Sequence, residues 1–95
     1  MSNILFSKKA TDALISQAMY IFEQTMNPDK ADIFLDKMEI YITRTLSSFP
    51  ELGRPAEEFG KGIRKLVYQR YSILYRIQEK HIEILTLYRE NIPNI

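Results

Sequence analysis

The chain has 95 residues, of which 45% are hydrophobic and 26% charged, and its formal net charge is +1. That describes one small globular domain over 1–95 and excludes both a strongly basic nucleic-acid module and an acidic disordered tail. Cysteine is absent and His81 is the single histidine, which removes disulfides, thiolate metal sites and most histidine-based catalysis.

No apolar run approaches a membrane span, and no basic-then-apolar leader opens the sequence, so a cytoplasmic domain is expected. Nothing in the composition calls for a metal or cofactor. The near-neutral total hides an uneven distribution. Residues 1–53 carry five Lys/Arg against seven Asp/Glu, a sum of −2; residues 54–95 carry eight against five, a sum of +3.

In chain order, Asn3 to Phe6 alternates as a brief strand. Ser7 has the right side chain to cap a helix from about Lys8 to Thr25. Ala10, Leu14, Ala18, Ile21 and Phe22 recur at steps of three and four, and Ile15 and Met19 widen that stripe. Asn27-Pro28 is a cap followed by a first-turn proline. A second helix then runs to about Ser47, with a seam of Ala31, Phe34, Leu35, Met38, Ile42, Thr45 and Leu46. So short a break predicts an antiparallel helix hairpin.

Two prolines and a glycine in Phe49-Pro50-Glu51-Leu52-Gly53-Arg54-Pro55 end the helical region, and Ala56 to Gly62 reads as a loop. Ile63–Arg70, Ser72–Ile77 and Ile82–Tyr88 are rich in Ile, Val, Leu, Tyr and Thr and read as strands. Residues 78–81 form a four-residue hairpin loop containing His81, and 91–95 a frayed tail. These strands lie too close for helical crossovers, so they are antiparallel. The fold class is α+β in the order β-α-α-β-β-β, with the helix hairpin on a small antiparallel sheet. One sheet face is expected to bury Ile73, Tyr75 and Ile84 under the helices, and the other to carry polar residues.

Arg64, Lys65, Arg70, Arg76 and Arg89 fall in or beside the strands, interleaved with Tyr68, Tyr71, Tyr75 and Tyr88. Guanidinium forks and tyrosine rings on one sheet face make a binding surface. Glu57-Glu58 and Asp29/Asp32 read as solvated charges. Gly60-Lys61-Gly62 lacks the ending and the helix of a phosphate loop.

The run from Phe49 to Pro55, then Glu58-Phe59-Gly60 and Gly62-Ile63-Arg64-Lys65-Leu66, resembles the central signature of RelE/ParE-family toxins of type II toxin–antitoxin modules. The resemblance continues through Arg70–Ile77 and Ile82–Leu85 and covers nearly the whole chain. The same β-α-α-β-β-β arrangement is the fold it implies. It also implies a cognate antitoxin, which the helix seam and an open sheet edge suit as docking sites.

Two activities follow from the resemblance. ParE-like members inhibit DNA gyrase by protein binding, and Arg70, Arg76, Tyr88 and Arg89 are then the target-binding candidates. RelE-like members cut mRNA on the ribosome, and Arg64, Lys65, Arg76, Tyr88 and Arg89 are then the catalytic candidates. Ser72 after Tyr71, the signature wording and the low net charge place this chain nearer ParE, with no direct nucleic-acid binding. The segment Leu87-Tyr88-Arg89-Glu90-Asn91 departs from the His-Gly-Arg-Arg ending common in that branch. A non-toxic, antitoxin-binding family member is the third reading.

Overall fold

The computed structural model describes residues 3–90; the expected frayed tail at 91–95 lies outside the described residues. Strand β1 (Asn3–Phe6) leads into helix α1 (Lys8–Thr25), and helix α2 (Pro28–Ser48) returns. Strands β2 (Arg54–Pro55), β3 (Ile63–Tyr68), β4 (Tyr71–Ile77) and β5 (His81–Arg89) complete a five-stranded sheet in the order β1-β5-β4-β3-β2. The β3, β4 and β5 pairs are antiparallel, as expected, while β1 joins β5 in parallel, which makes the sheet mixed.

Ser7 does two jobs at the first junction. Its hydroxyl oxygen accepts the Ala10 N–H at 3.0 Å, capping α1, and its O–H donates to the Leu85 carbonyl at 2.8 Å. One side chain therefore starts the helix and ties it to β5. At the hairpin, Met26 ends α1 in the left-handed region at φ 52°, and the Asn27 side chain accepts the Asp29 N–H at the start of α2.

The buried faces follow the predicted periodicity only in part. Ala10, Leu14 and Ala18 of α1 and Met38, Ile42 and Leu46 of α2 are buried. They pack with Leu66, Tyr71, Ile73, Tyr75, Ile82, Ile84 and Leu87 of the sheet. Ile15 and Met19, expected to widen the α1 stripe, are exposed, and so is Phe22 of the stripe itself. One helix of a two-helix layer cannot bury so wide an arc, because its outer side meets no further element.

A β-bulge decides which β5 residues enter the core. Leu74 pairs with Thr86 and Tyr75 with Ile84, so Leu85 is supernumerary. The extra residue shifts the alternation, which lets Ile82, Ile84 and Leu87 all face the helices.

Three expectations are corrected. Residues 54–59 are not all loop: Arg54–Pro55 pairs with Arg64–Lys65, and a 3-10 turn spans Glu57–Phe59. His81 is not in the loop but opens β5, paired with Asn3. The sheet face away from the helices is not simply polar, because Ala56, Ile63 and Leu74 are buried there with Leu85 and Tyr88 against them. The 3-10 turn folds back over that face and shelters it.

Candidate functional site

The 49–55 segment is held to the sheet by specific side chains. Tyr75 is fully buried in β4, and its O–H donates to the Pro50 carbonyl at 2.7 Å while its oxygen accepts the Gly53 N–H at 2.9 Å. A Cβ on Gly53 would lie 2.7 Å from the Tyr75 ring and 2.9 Å from the Lys65 carbonyl, so only glycine fits. Beside it, Arg64 donates from Nε to the Gly53 carbonyl at 2.8 Å and from a terminal nitrogen to the Glu51 carbonyl at 3.0 Å. Pro50, Gly53, Arg64 and Tyr75 thus form a clamp that seats the 49–55 segment on the sheet.

Strand alternation separates the two adjacent cations. Arg64 lies with Tyr75 on the clamp side, whereas Lys65 points to the face away from the helices. There, Lys65 Nζ meets Glu90 Oε1 at 2.7 Å, and the buried Ser72 hydroxyl donates to the same oxygen. The ammonium also sits 5.9 Å from the Tyr88 ring centroid, and Phe59 packs on Tyr88 at 6.3 Å between centroids. Arg54 bridges Glu58 at 3.0 Å nearby.

These contacts set the charge states. Hydrogen bonds from Lys65 and then Ser72 hold the Glu90 carboxyl below its usual range. The hydrogen bond to Glu90 in turn raises the Lys65 ammonium. Arg54 lowers Glu58 by the same cause. Lys65 and Arg54 on this face are therefore each answered by a carboxylate, whereas Arg76 reaches only the Lys61 carbonyl. The face offers Tyr88, a ring partly sheltered by Phe59, more than it offers open positive charge.

Arg70 and Arg89 occupy the end of the sheet. Gln69 and Arg70 form the two-residue turn between Tyr68 and Tyr71, both in the left-handed region at φ 47° and 71°. The Arg70 carbonyl accepts the Glu90 N–H at 2.7 Å, which fastens the end of β5 to the turn. Arg89 pairs across from Tyr71, whose phenol is pushed up by burial with the Arg89 charge opposing. Both arginine side chains are exposed. Tyr88 is the next residue inward, on the opposite face of the same strand.

Arg76 stands apart. It lies five residues along β4 from Tyr71, roughly 17 Å at strand rise, and donates to the Lys61 carbonyl at 3.3 Å. The fold thus brings Arg70, Arg89 and Tyr88 to one end and leaves Arg76 at the other. It also divides Arg64 from Lys65. Glu90, Ser72 and Phe59 complete the Lys65–Tyr88 network and were not foreseen, because no spacing in sequence connects them. Among the described residues, no group of three His, Asp or Glu side chains is placed to hold a metal ion, and no helix is long and apolar enough to cross a membrane.

Comparison with known proteins adds to this geometry. A family model described as the ParE toxin of the type II toxin–antitoxin system parDE matches residues 4–91. A solved structure of a chromosomal ParDE TA system from P. aeruginosa superposes with a TM-score of 0.75, at 22% identity, over 96% of this chain and 98% of that one. No curated protein matches.

Proposed function

Because the chain belongs to the ParE toxin family of type II toxin–antitoxin systems, we propose that it inhibits DNA gyrase by protein binding in the cytoplasm and is neutralised by a cognate antitoxin. The state of Lys65 carries this reading. A metal-free nuclease site needs uncompensated cations aimed at a phosphate as its charge develops. Lys65 is instead closed by Glu90 and Ser72, and Arg64 is committed to two backbone carbonyls on the clamp side. Of the candidate catalytic residues, Lys65 and Tyr88 meet, while Arg64 lies on the opposite side of β3.

A protein-binding toxin needs an exposed anchor surface instead, in which arginine and tyrosine are the favoured contributors. Arg70 and Arg89 supply exposed arginines at the end of the sheet, fixed by the Arg70–Glu90 backbone bond, with half-buried Tyr88 beside them on the other face. Arg76 lies outside this patch.

The test is expression in growing bacteria without an antitoxin, followed by plasmid topology and primer extension on translated messages. Growth arrest with relaxed plasmid and intact mRNA is expected. Ribosome-phased cuts would assign the nuclease activity instead, and absence of arrest would assign the non-toxic role.

A further inference from the structure

Among the described residues, Ser72 is the one polar side chain that is fully buried. A hydroxyl in such a place costs free energy unless it is bonded, and an alanine would fill the space without that cost. Ser72 stands on β4 across from Val67 of β3 and Tyr88 of β5, so it shares the face away from the helices with Lys65 and Tyr88. Its hydroxyl and the Lys65 ammonium converge on a single atom, Glu90 Oε1. A cation and a fixed hydroxyl aimed at one oxygen are the elements of an oxyanion site, the first supplying charge and the second direction.

The donors and the acceptor are held differently. Lys65 is paired with Leu74 on one side and Arg54 on the other, and Ser72 with Val67 and Tyr88. Both donors therefore have strands on either side, and the Lys65 side chain is only 16% exposed. Glu90 follows the last residue of β5, and its side chain is 34% exposed. The donors are built into the sheet, and the carboxylate reaches them from its end. The surroundings favour negative charge. Beyond the bonds from Lys65 and Ser72, the charge of Arg54 also holds the Glu90 carboxyl low. Glu58 is engaged by Arg54 at 3.0 Å, which leaves Lys65 and Ser72 to Glu90.

We propose that Lys65 and Ser72 form a binding site for one oxyanion, a phosphate or a carboxylate, and that Glu90 fills it as a tethered surrogate. An incoming anion must displace Glu90 to inherit both donors. A tethered group competes at a high effective concentration. The apparent affinity of the site is therefore reduced by the fraction of molecules in which Glu90 has left it. An ion pair kept for stability alone behaves otherwise: once Glu90 is removed, water satisfies the ammonium and no anion binds saturably. The site stands whichever target the toxin has.

The experiment titrates the full chain with sodium phosphate and, separately, sodium acetate, at constant ionic strength set with chloride. The thermal midpoint is read for both anions and the phosphorus NMR line width for phosphate. Glu90→Ala should bind at least one of the two saturably, at least about tenfold tighter than wild type does. The anion that saturates at the lower concentration assigns the class. Adding Lys65→Met to Glu90→Ala should abolish the gain, and adding Ser72→Ala should weaken it. If Glu90→Ala is poorly folded by circular dichroism, Glu90→Gln carries the test, because a neutral amide is a weaker partner for an ammonium. Equal responses of wild type and Glu90→Ala, a gain that survives the loss of Lys65, or no saturable response in Glu90→Ala would each overturn the proposal and leave a structural ion pair.

Discussion

The Tyr75 hydroxyl, on a fully buried side chain, is bonded on both sides to one loop, to the Pro50 carbonyl at 2.7 Å and the Gly53 N–H at 2.9 Å. The most specific wording in the sequence is thus a way of seating residues 49–55 on β4. Tyr75→Phe leaves the buried Gly53 N–H and the part-buried Pro50 carbonyl without this partner, which costs about 1–3 kcal/mol. Gly53→Ala must displace the ring or the Lys65 backbone, and overpacking of this kind costs about 1–3 kcal/mol. Urea denaturation should show both losses, and wild-type stability in Tyr75→Phe would dismiss the clamp.

Arg64 belongs to the same clamp. Its two bonds to loop carbonyls are charge-assisted, and hydrogen bonds to charged groups contribute about 1.5–3 kcal/mol. Arg64→Met should lower the thermal midpoint while leaving inhibition per folded molecule unchanged. A variant of full stability that has lost activity would place Arg64 in the working surface instead.

The Gln69–Arg70 turn places two residues without a glycine's freedom at positive φ. Such positions store about 1–3 kcal/mol each. Arg70→Asn, which tolerates the left-handed region, should raise stability and weaken target binding together. A thermal melt and a binding titration on the same preparation separate the two effects. If stability falls, the turn is not strained as described.

Glu90 gives the stability profile an acid limb. Its folded pKa lies below the unfolded value of about 4.3, because Lys65 and Ser72 bond the ionised form. Its contribution is fully present above the unfolded value and is lost as pH falls through the folded one. Lys65 behaves in the opposite sense, contributing below its unfolded value and fading as pH rises through the raised one. Wild type should therefore exceed Glu90→Gln in thermal midpoint at neutral pH, with the gap closing below about pH 4. A gap that stays constant from neutral to acid would contradict the Lys65–Glu90–Ser72 assignment.

Much of this architecture is legible in the sequence. Ser7, Asn27-Pro28 and the three-and-four spacing of Ala10, Leu14, Met38, Ile42 and Leu46 mark the helix hairpin through local rules. The Gln69–Arg70 turn was hidden because neither residue is Asn or Gly, the usual signal for such a turn. The bulge at Leu85 was equally hidden, since it breaks the very alternation by which a strand is read. Strand β2 depends on a partner strand rather than on its own two residues. The Lys65–Glu90 pair depends on three strands meeting, so spacing could not connect them. Arg64 and Lys65 were neighbours in sequence and are opposed in space, which is the ordinary consequence of a pleated strand.

Supercoiling of relaxed plasmid by purified gyrase tests the central claim most directly. Wild-type toxin should block the reaction. Arg70→Ala with Arg89→Ala should raise the concentration required at least about tenfold, in line with the loss of two interface anchors. Arg76→Ala should stay close to wild type. Unimpaired supercoiling at excess toxin, with cleavage of translated mRNA by the same preparation, would contradict the account.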